Sequence, residues 1–453
     1  MIEQLERTLN EVVDEAMRRL HVPGVAVGIL RSDGVEETTG FGVTSIENPL
    51  PVDADTLFQI GSISKTFTAT AVMRLVEAGR LDLESPVRRY LPELRLLDSA
   101  ATETVTLRHL LTHTAGFIGD DFTDTGQGDD AVARYVGHMS ELPQVTPPGE
   151  LFSYCNAGFV LAGRVIEVAT GQTYEQAIHR LVLEPLEMQH TTFEPQLVML
   201  RRFVVGHISP FDEDHGEVRI ARPWALARAA NPAGGLSSSI RDLLRYARFH
   251  LGQRPAGVLS GQSRELMQSP LARAGNFADS VGVAWMLRSV AGARLVEHSG
   301  GTYGQQTTLK LVPERNFGLA ILTNASRGAE LHGQLANRIL GEYLGLDDRP
   351  PETVSVSPDR LAEYAGHYEQ ALSSIDVAAR GGGLVLQVNP RGGFPLKDSP
   401  PGPTPPPVPF GFWSEDRIVG LEPPLKGARA EFIRGPGGRI RFLRSGGRLA
   451  VRE

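Results

Sequence analysis

The sequence has very little cysteine and very little lysine. Cys155 is the only cysteine among 453 residues, which excludes an intrachain disulfide and any zinc or iron–sulfur site built from several cysteines. Of the 45 basic side chains only four are lysines, namely Lys65, Lys310, Lys397 and Lys426. Because lysine is so rare here, a lysine beside a residue that could take part in catalysis is a stronger indication of function than in an average chain.

Positive charge and long apolar runs are also lacking. The 45 basic and 53 acidic residues give a formal net charge of −8, which argues against nucleic acid as a partner and against a polybasic membrane anchor. Glu3 and Glu6 stand where a signal peptide would carry positive charge and then an apolar stretch. The apolar run 24–30 is far too short to span a bilayer. We therefore expect no membrane partner and a cytoplasmic protein.

The composition is that of a globular protein, with 41% apolar and 22% charged residues. In the first part of the chain, segments with helical and with strand-like spacing alternate. Helical spacing occurs at 3–20, 62–78, about 157–169, about 240–250 and about 328–344, and strand-like runs occur at 25–30, 36–44, 294–298, 305–312 and 317–323. Strands at both ends of a helix-rich region predict an α/β (α+β) fold. We expect one antiparallel sheet flanked by the first and last helices, with a helical insert between its strands.

A different pattern begins near residue 347. Residues 347–351 read Asp-Asp-Arg-Pro-Pro and predict a linker between a domain at 1–346 and a second one at 352–453. Beyond the linker the apolar spacing has a period of two, in seven or eight short segments. This pattern predicts a small antiparallel β-barrel, with a sandwich as the alternative, and the proline-rich segment 399–407 is expected at a hairpin tip.

The first motif with chemical content is Ser62-Ile-Ser-Lys65, at the start of the predicted helix 62–78. Residues three apart share a helix face, so the Lys65 amine can reach the Ser62 hydroxyl. A lysine can accept the serine proton when burial or a like charge lowers its pKa. The helix N-terminus offers backbone N–H groups to a developing anion. Alone, so short a motif also arises by chance.

The second motif is Tyr154-Cys155-Asn156, about 90 residues later and just before a predicted helix. A tyrosinate close to a lysine ammonium can act as a general base. The Asn156 amide can bond both Lys65 and a substrate amide. The alternative is an ordinary capped junction between a loop and a helix.

The third motif is His298-Ser299-Gly300-Gly301, at the end of one predicted strand and before the next. A substrate can lie antiparallel along such a strand, and glycines let it approach closely. The N–H groups of Gly301 and Ser62 could together form an oxyanion hole.

These three motifs, in this order and on helix, loop and strand, resemble the serine β-lactamase and penicillin-binding-protein superfamily. The similarity spans about residues 5–345 and is closest to the class C-like branch. That branch includes D-aminopeptidases, D-alanyl-D-alanine carboxypeptidases and β-lactamase-like esterases. The resemblance implies a β-lactamase/transpeptidase-like catalytic domain. The region 352–453 is similar to the lipocalin-like modules appended to some of these peptidases.

The resemblance also implies a role for each motif residue. Ser62 would be the acylated nucleophile, and Lys65 and Tyr154 the pair of bases that move its proton. His298 stands where β-lactamases of this branch usually carry lysine. A mostly neutral histidine favours peptidases and esterases over β-lactamases, because it offers no fixed cation to a carboxylate. The predicted substrate-binding residues are Asn156, His298, Ser299, Gly300 and Gly301.

No metal or organic cofactor is predicted. His109 and His113 have a spacing that could share a metal, but the glutamate of metalloproteases is missing between them. The acidic segment 120–130 has Thr125 where a calcium loop requires glycine. The residues around Cys155 do not resemble those around the nucleophile of a cysteine protease.

The sequence thus predicts a serine hydrolase that acts through an acyl-enzyme on small amides or esters, with D-amino-acid peptides or amides as the preferred substrates. Three alternatives remain open at this stage. They are a β-lactamase or D-alanyl-D-alanine carboxypeptidase, a β-lactamase-like carboxylesterase, and a ligand-binding scaffold without turnover. The expected partners are a small-molecule or short-peptide substrate and further copies of the chain in a homo-oligomer.

Overall fold

A computed structural model describes residues 2–211, 216–253 and 257–453. The helices are α1 (Ile2–Leu20), α2 (Ser64–Glu77), α3 (Ser99–Thr104), α4 (Leu107–Leu111), α5 (Ala131–His138), α6 (Asn156–Thr170), α7 (Tyr174–Ile178), α8 (Pro195–Val198), α9 (Asn231–Gly234), α10 (Ile240–His250), α11 (Gly261–Met267), α12 (Gly328–Leu344) and α13 (Pro358–Tyr364).

The strands include those of one large sheet and one barrel. They are β1 (Gly24–Leu30), β2 (Glu36–Gly42), β3 (Phe58–Gln59), β4 (Thr191–Thr192), β5 (His207–Ile208), β6 (Arg219–Ile220), β7 (Ser237–Ser238), β8 (Ser280–Val281), β9 (Met286–Val290), β10 (Ala293–Thr302), β11 (Gln305–Val312), β12 (Phe317–Thr323), β13 (Gly366–Glu369), β14 (Ser373–Arg380), β15 (Gly383–Pro390), β16 (Val408–Ser414), β17 (Arg417–Gly420), β18 (Arg429–Arg434), β19 (Ile440–Ser445) and β20 (Arg448–Arg452).

The large sheet is built from both ends of the first domain, as predicted. Its order is β2-β1-β12-β11-β10-β9-β8, and all neighbours are antiparallel. The pair β1–β12 joins residue 25 to residue 323, so the two ends of this region meet in the middle of the sheet. Helices α1 and α12 cover one face with an apolar cluster of their own.

The other face of the sheet carries α10 and the helical insert, whose core includes α2 and α6. The first residues of α2 and α6 lie near β10, so the cleft between insert and sheet brings the three motifs together. Strand β10 is longer than predicted and extends through Thr302. The prediction stopped at His298 because the next three residues have no apolar side chain, yet the ladder continues with Gly300 opposite Thr307.

Strands β13 to β20 form a closed antiparallel barrel, as predicted. Its interior is packed with apolar and aromatic side chains, among them Tyr368, Phe410 and Phe432. Two details differ from the sequence-based expectation. Residue 363 lies in α13 and not in a strand, and β16 was missed because it follows the proline-rich segment and contains Pro409 and Gly411. The domain boundaries at 346 and 352 stay a prediction.

The barrel contacts the catalytic region through buried polar groups. The Nδ2 of Asn276 donates to the carbonyls of Ile418 and Ala430, at 3.3 and 2.7 Å. The Nε of Arg444 donates to the carbonyl of Phe152 at 3.0 Å. These bonds fix the barrel beside the loop that leads to the Tyr154 motif.

The helices in the described ranges include none with both the length and the apolar character needed to cross a membrane.

Candidate active site

Ser62 lies on a short 3₁₀ turn, Gly61–Ile63, directly before α2. Gly61 has a φ of +51°, and a side chain there would meet the backbone of Gly301 at 2.7 Å. Glycine therefore lets the turn bend sharply against β10. Ser62 is half-buried, so its hydroxyl remains accessible from the cleft.

Lys65 is completely buried beneath this turn. Its Nζ lies 3.0 Å from Oγ of Ser62 and donates to the carbonyl of Ala233 at 2.6 Å. Burial lowers the pKa of the Lys65 amine well below its usual value, and the positive charge of Arg448 lowers it further. The site therefore favours a neutral amine, which can accept the serine proton.

The ring of Tyr154 packs close to the Lys65 amine. The lysine Nζ lies 4.9 Å from the centre of the Tyr154 ring, whose other contacts include a stacked His113 ring at 4.2 Å. Burial raises the pKa of Tyr154 above its usual value, although a hydrogen bond to Ser62 and the charge of Arg448 oppose the rise. A phenol beside a neutral amine is thus favoured over the tyrosinate and ammonium considered from the sequence.

His113 stacks on the Tyr154 ring and forms a hydrogen bond with the backbone of the same motif. Its Nδ1 accepts the N–H of Cys155 at 2.9 Å, and burial lowers its pKa well below the usual value. His109, in contrast, bonds its own helix cap at Thr106. The two histidines therefore have separate structural roles. Burial also raises the pKa of the Cys155 thiol to about 12, so a thiolate nucleophile is disfavoured.

Asn156 is the first residue of α6, and its side chain faces an acidic partner. Its Nδ2 donates to Oδ1 of Asp120 at 2.6 Å. Asp120 also forms an ion pair with Arg448 from β20 of the barrel. Asn156 is therefore held by Asp120, whereas the hydrogen bonds of the Lys65 amine go to Ser62 and Ala233.

His298 is buried at the β10 side of the cleft, with its ring centre 6.2 Å from that of Tyr154. Its Nδ1 lies 2.7 Å from the carbonyl of Ser299 and can only donate there, which leaves Nε2 as an acceptor. In the described structure this buried Nε2 has no hydrogen-bond partner. Burial and the nearby Lys65 lower the pKa of His298 to about 3, so the ring is neutral.

The remaining residues of the third motif alternate along β10. Gly300 is buried against the Ser62 turn, whereas Ser299 and Gly301 are exposed. The Ser299 hydroxyl donates to Oγ1 of Thr308 on the neighbouring strand at 3.1 Å. The structure thus places the three motifs close together, with Gly300 in direct contact with the turn that carries Ser62.

A methyl group on Gly300 will disturb this contact. The Cβ of Gly300→Ala would lie 2.0 Å from the carbonyl oxygen of Ile60 and 2.8 Å from the nitrogen of Ser62, so the turn and the strand must separate. We expect kcat/KM for an activated ester to fall about tenfold or more, because the Ser62 hydroxyl is displaced. Gly333→Ala on α12 is the control, since its methyl meets nothing within 4 Å. Equal activity of the two variants would contradict this prediction.

Two side chains beside the motif residues, Asp120 and Arg448, were not predicted as site residues from the sequence. Asp120 was considered only as part of an acidic loop, and Arg448 had no motif around it. Both lie in the network that holds Asn156.

Comparison with known proteins places this cleft in a family. The family model described as Beta-lactamase matches residues 9–342. Penicillin-binding protein 4 of Amycolatopsis lactamdurans is 34% identical over 363 residues, which cover 77% of this chain and 94% of that protein.

Solved structures also match almost the whole chain, barrel included. A structure of SurE with D-Leu has a TM-score of 0.74 and 26% identity, and the match covers 99% of both chains. The octameric penicillin-binding protein homologue from Pyrococcus abyssi has a TM-score of 0.67 and 26% identity, covering 98% of this chain and 99% of that one. The chain therefore belongs to the beta-lactamase family, within the serine β-lactamase and penicillin-binding-protein superfamily, and is a serine hydrolase of that superfamily.

Proposed function

We propose that the protein hydrolyses small amides or esters through an acyl-enzyme on Ser62, with D-amino-acid peptides or amides as preferred substrates. The observation that carries this proposal is the buried amine of Lys65 at 3.0 Å from the Ser62 hydroxyl. A serine needs a base within hydrogen-bond reach, and a desolvated lysine is a base at neutral pH.

In the proposed reaction, the Ser62 oxygen attacks the substrate carbonyl while its proton moves to Lys65. The N–H groups of Ser62 and Gly301 stabilise the oxyanion. Tyr154 then gives its phenol proton to the leaving amine or alcohol, which departs as the acyl-enzyme forms, and Tyr154 recovers a proton from Lys65. In the second half, water attacks the ester and gives its proton to the same groups, and Ser62 regains a proton as the acid departs. No metal or cofactor takes part in this scheme.

The remaining motif residues have substrate-binding roles in this proposal. Asn156 contacts the acyl group, and the strand from His298 to Gly301 lies along the substrate. A neutral His298 with a free lone pair on Nε2 can accept a hydrogen bond but offers no cation to a carboxylate. This favours neutral substrate ends.

The D-configuration has separate support. SurE, whose solved structure contains D-Leu, is similar to this chain over 99% of both lengths. Because the similarity includes the barrel as well as the first domain, we extend the D-configuration to this chain as part of the proposal. We also propose a homo-oligomer, since the homologue from Pyrococcus abyssi is octameric and matches 98% of this chain.

The second candidate function is that of a β-lactamase or D-alanyl-D-alanine carboxypeptidase. The 34% identity to a penicillin-binding protein favours it. The neutral His298 argues against this candidate, because a β-lactam carries a carboxylate and a neutral ring offers it no positive charge.

A panel of enantiomeric substrates tests the proposal. We expect the amides and activated esters of N-acetyl-D-leucine and N-acetyl-D-alanine to be hydrolysed at least about tenfold faster, in kcat/KM, than their L-enantiomers. Each enantiomeric pair has the same intrinsic reactivity and is its own control. A chromogenic cephalosporin completes the panel. Faster turnover of the cephalosporin than of every amide and ester would support the second candidate, and equal rates for D and L would contradict the proposed specificity.

A further inference from the structure

The barrel reaches into the catalytic cleft through one hairpin. The turn between β19 and β20 consists of Gly446 and Gly447, and the carbonyl of Gly447 accepts the N–H of Tyr154 at 2.8 Å. A side chain on Gly447 would lie 3.3 Å from the ring of Phe277 in the first domain, so the turn is packed closely against that domain. The residue that follows the turn, Arg448, is therefore held beside the Tyr154 motif.

Arg448 makes specific contacts there. Its Nε and Nη2 bind the two carboxylate oxygens of Asp120, and Nη1 donates to the carbonyl of Gly446 at 3.1 Å. Its guanidinium carbon lies 4.8 Å from the centre of the Tyr154 ring. A planar, two-pronged contact of this kind fixes the position of a carboxylate better than a single ammonium can.

Asp120 in turn determines how the Asn156 amide is oriented. The Asp120 side chain is only 6% exposed, and as a carboxylate it can only accept hydrogen bonds. The Asn156 group that faces it at 2.6 Å must therefore be the NH₂. The amide oxygen and the second N–H of Asn156 are left to face other partners.

We propose that Arg448 is a positioning residue supplied by the barrel: through Asp120 it orients Asn156 to pair with the backbone amide of the acyl group. The oriented Asn156 amide selects substrates whose acyl group is an N-acylated amino-acid residue, as in a peptide. The inference rests on the proposed acyl-enzyme function and extends it, because the barrel becomes part of the recognition site and Arg448 acts without touching the reacting atoms.

Two esters with one leaving group test this inference. p-Nitrophenyl butyrate has no amide in its acyl group, whereas the p-nitrophenyl ester of N-acetyl-D-alanine has one. The measured quantity is the ratio of their kcat/KM values in the same preparation, from which any unfolded fraction cancels. Failure of wild-type protein to form an acyl-enzyme with either ester would refute the proposed function itself, which separates that failure from a failure of this inference.

Arg448→Lys is the informative variant, because it keeps the positive charge near Lys65 but loses the two-pronged contact. We expect the amide-to-butyrate ratio to fall about tenfold, mainly through a higher KM for the N-acetyl-D-alanine ester. Asp120→Asn should lower the same ratio, since an amide no longer forces the Asn156 NH₂ to face it. Arg441→Met is the control, since it removes an exposed arginine from the same barrel.

An unchanged ratio in both Arg448→Lys and Asp120→Asn would overturn the inference. A parallel loss on both esters is one form of that result, and it would place Arg448 in the chemistry or in general stability. If Arg448→Lys does not fold, Arg448→Gln is measured in its place, with the same ratio and the same expected fall.

Discussion

Ser62→Ala will fold like the wild-type protein and form no covalent adduct with an activated ester or a penicillin. The hydroxyl of Ser62 lies 3.0 Å from the amine of Lys65, and burial lowers the pKa of that amine well below its usual value. Loss of an acylated nucleophile removes the whole covalent route, so we expect kcat to fall by about 10⁴-fold or more. Intact-protein mass after trapping should show one adduct on the wild type and none on the variant.

Cys155→Ser is the matched control for this experiment. Cys155 is the other candidate nucleophile near the cleft, and its Sγ accepts the N–H of Gly158 at the start of α6. Serine keeps this cap, so the variant should fold and still be labelled on Ser62. An adduct that persists in Ser62→Ala and disappears in Cys155→Ser would assign the nucleophile to the cysteine.

The fold was largely predictable because its strands are bounded by clear signals. The limits of β11 and β12 agree with the apolar runs 305–312 and 317–323, since turns rich in polar residues end each run. The same rule failed where the chain carries glycine in a strand. Gly300 and Gly301 extend β10 through backbone pairing alone, which no side-chain pattern can indicate.

The turn that carries Ser62 was predicted at the right position but with the wrong shape. The spacing of Ser62 and Lys65 indicated one helix from residue 62, whereas α2 begins at Ser64 after a 3₁₀ turn. The left-handed Gly61 and its contact with Gly301 produce that turn. Such a contact joins segments some 240 residues apart and depends on tertiary packing.

Arg448 and Asp120 could not have been found from sequence patterns. They are separated by 328 positions, and neither belongs to a motif. Arginine is also common in this chain, so one more arginine in a strand of the barrel carries no local signal. Only the closed barrel and its contact with the Tyr154 loop bring the pair together.

Tyr154→Phe will lower turnover by about 10²–10⁴-fold, which is the usual contribution of a general acid–base group. The variant keeps the ring that stacks on His113 and loses only the hydroxyl that bonds Ser62. Stability should therefore change little. Tyr246→Phe is the control, because Tyr246 is another buried tyrosine, bonded to Thr70 at 2.9 Å, and we expect it to retain wild-type turnover.

The pH dependence of the same variant separates the roles of the two bases. Only the unprotonated amine of Lys65 can accept the serine proton, so kcat/KM should fall as the pH drops through the pKa of Lys65. Burial lowers that pKa well below the ordinary lysine value, which moves the acid limb to correspondingly lower pH. Tyr154→Phe should lower the plateau and keep the acid limb, because its phenol has a raised pKa and stays protonated. If the acid limb disappears in Tyr154→Phe, the tyrosine is the group that titrates, and Lys65 is not the base.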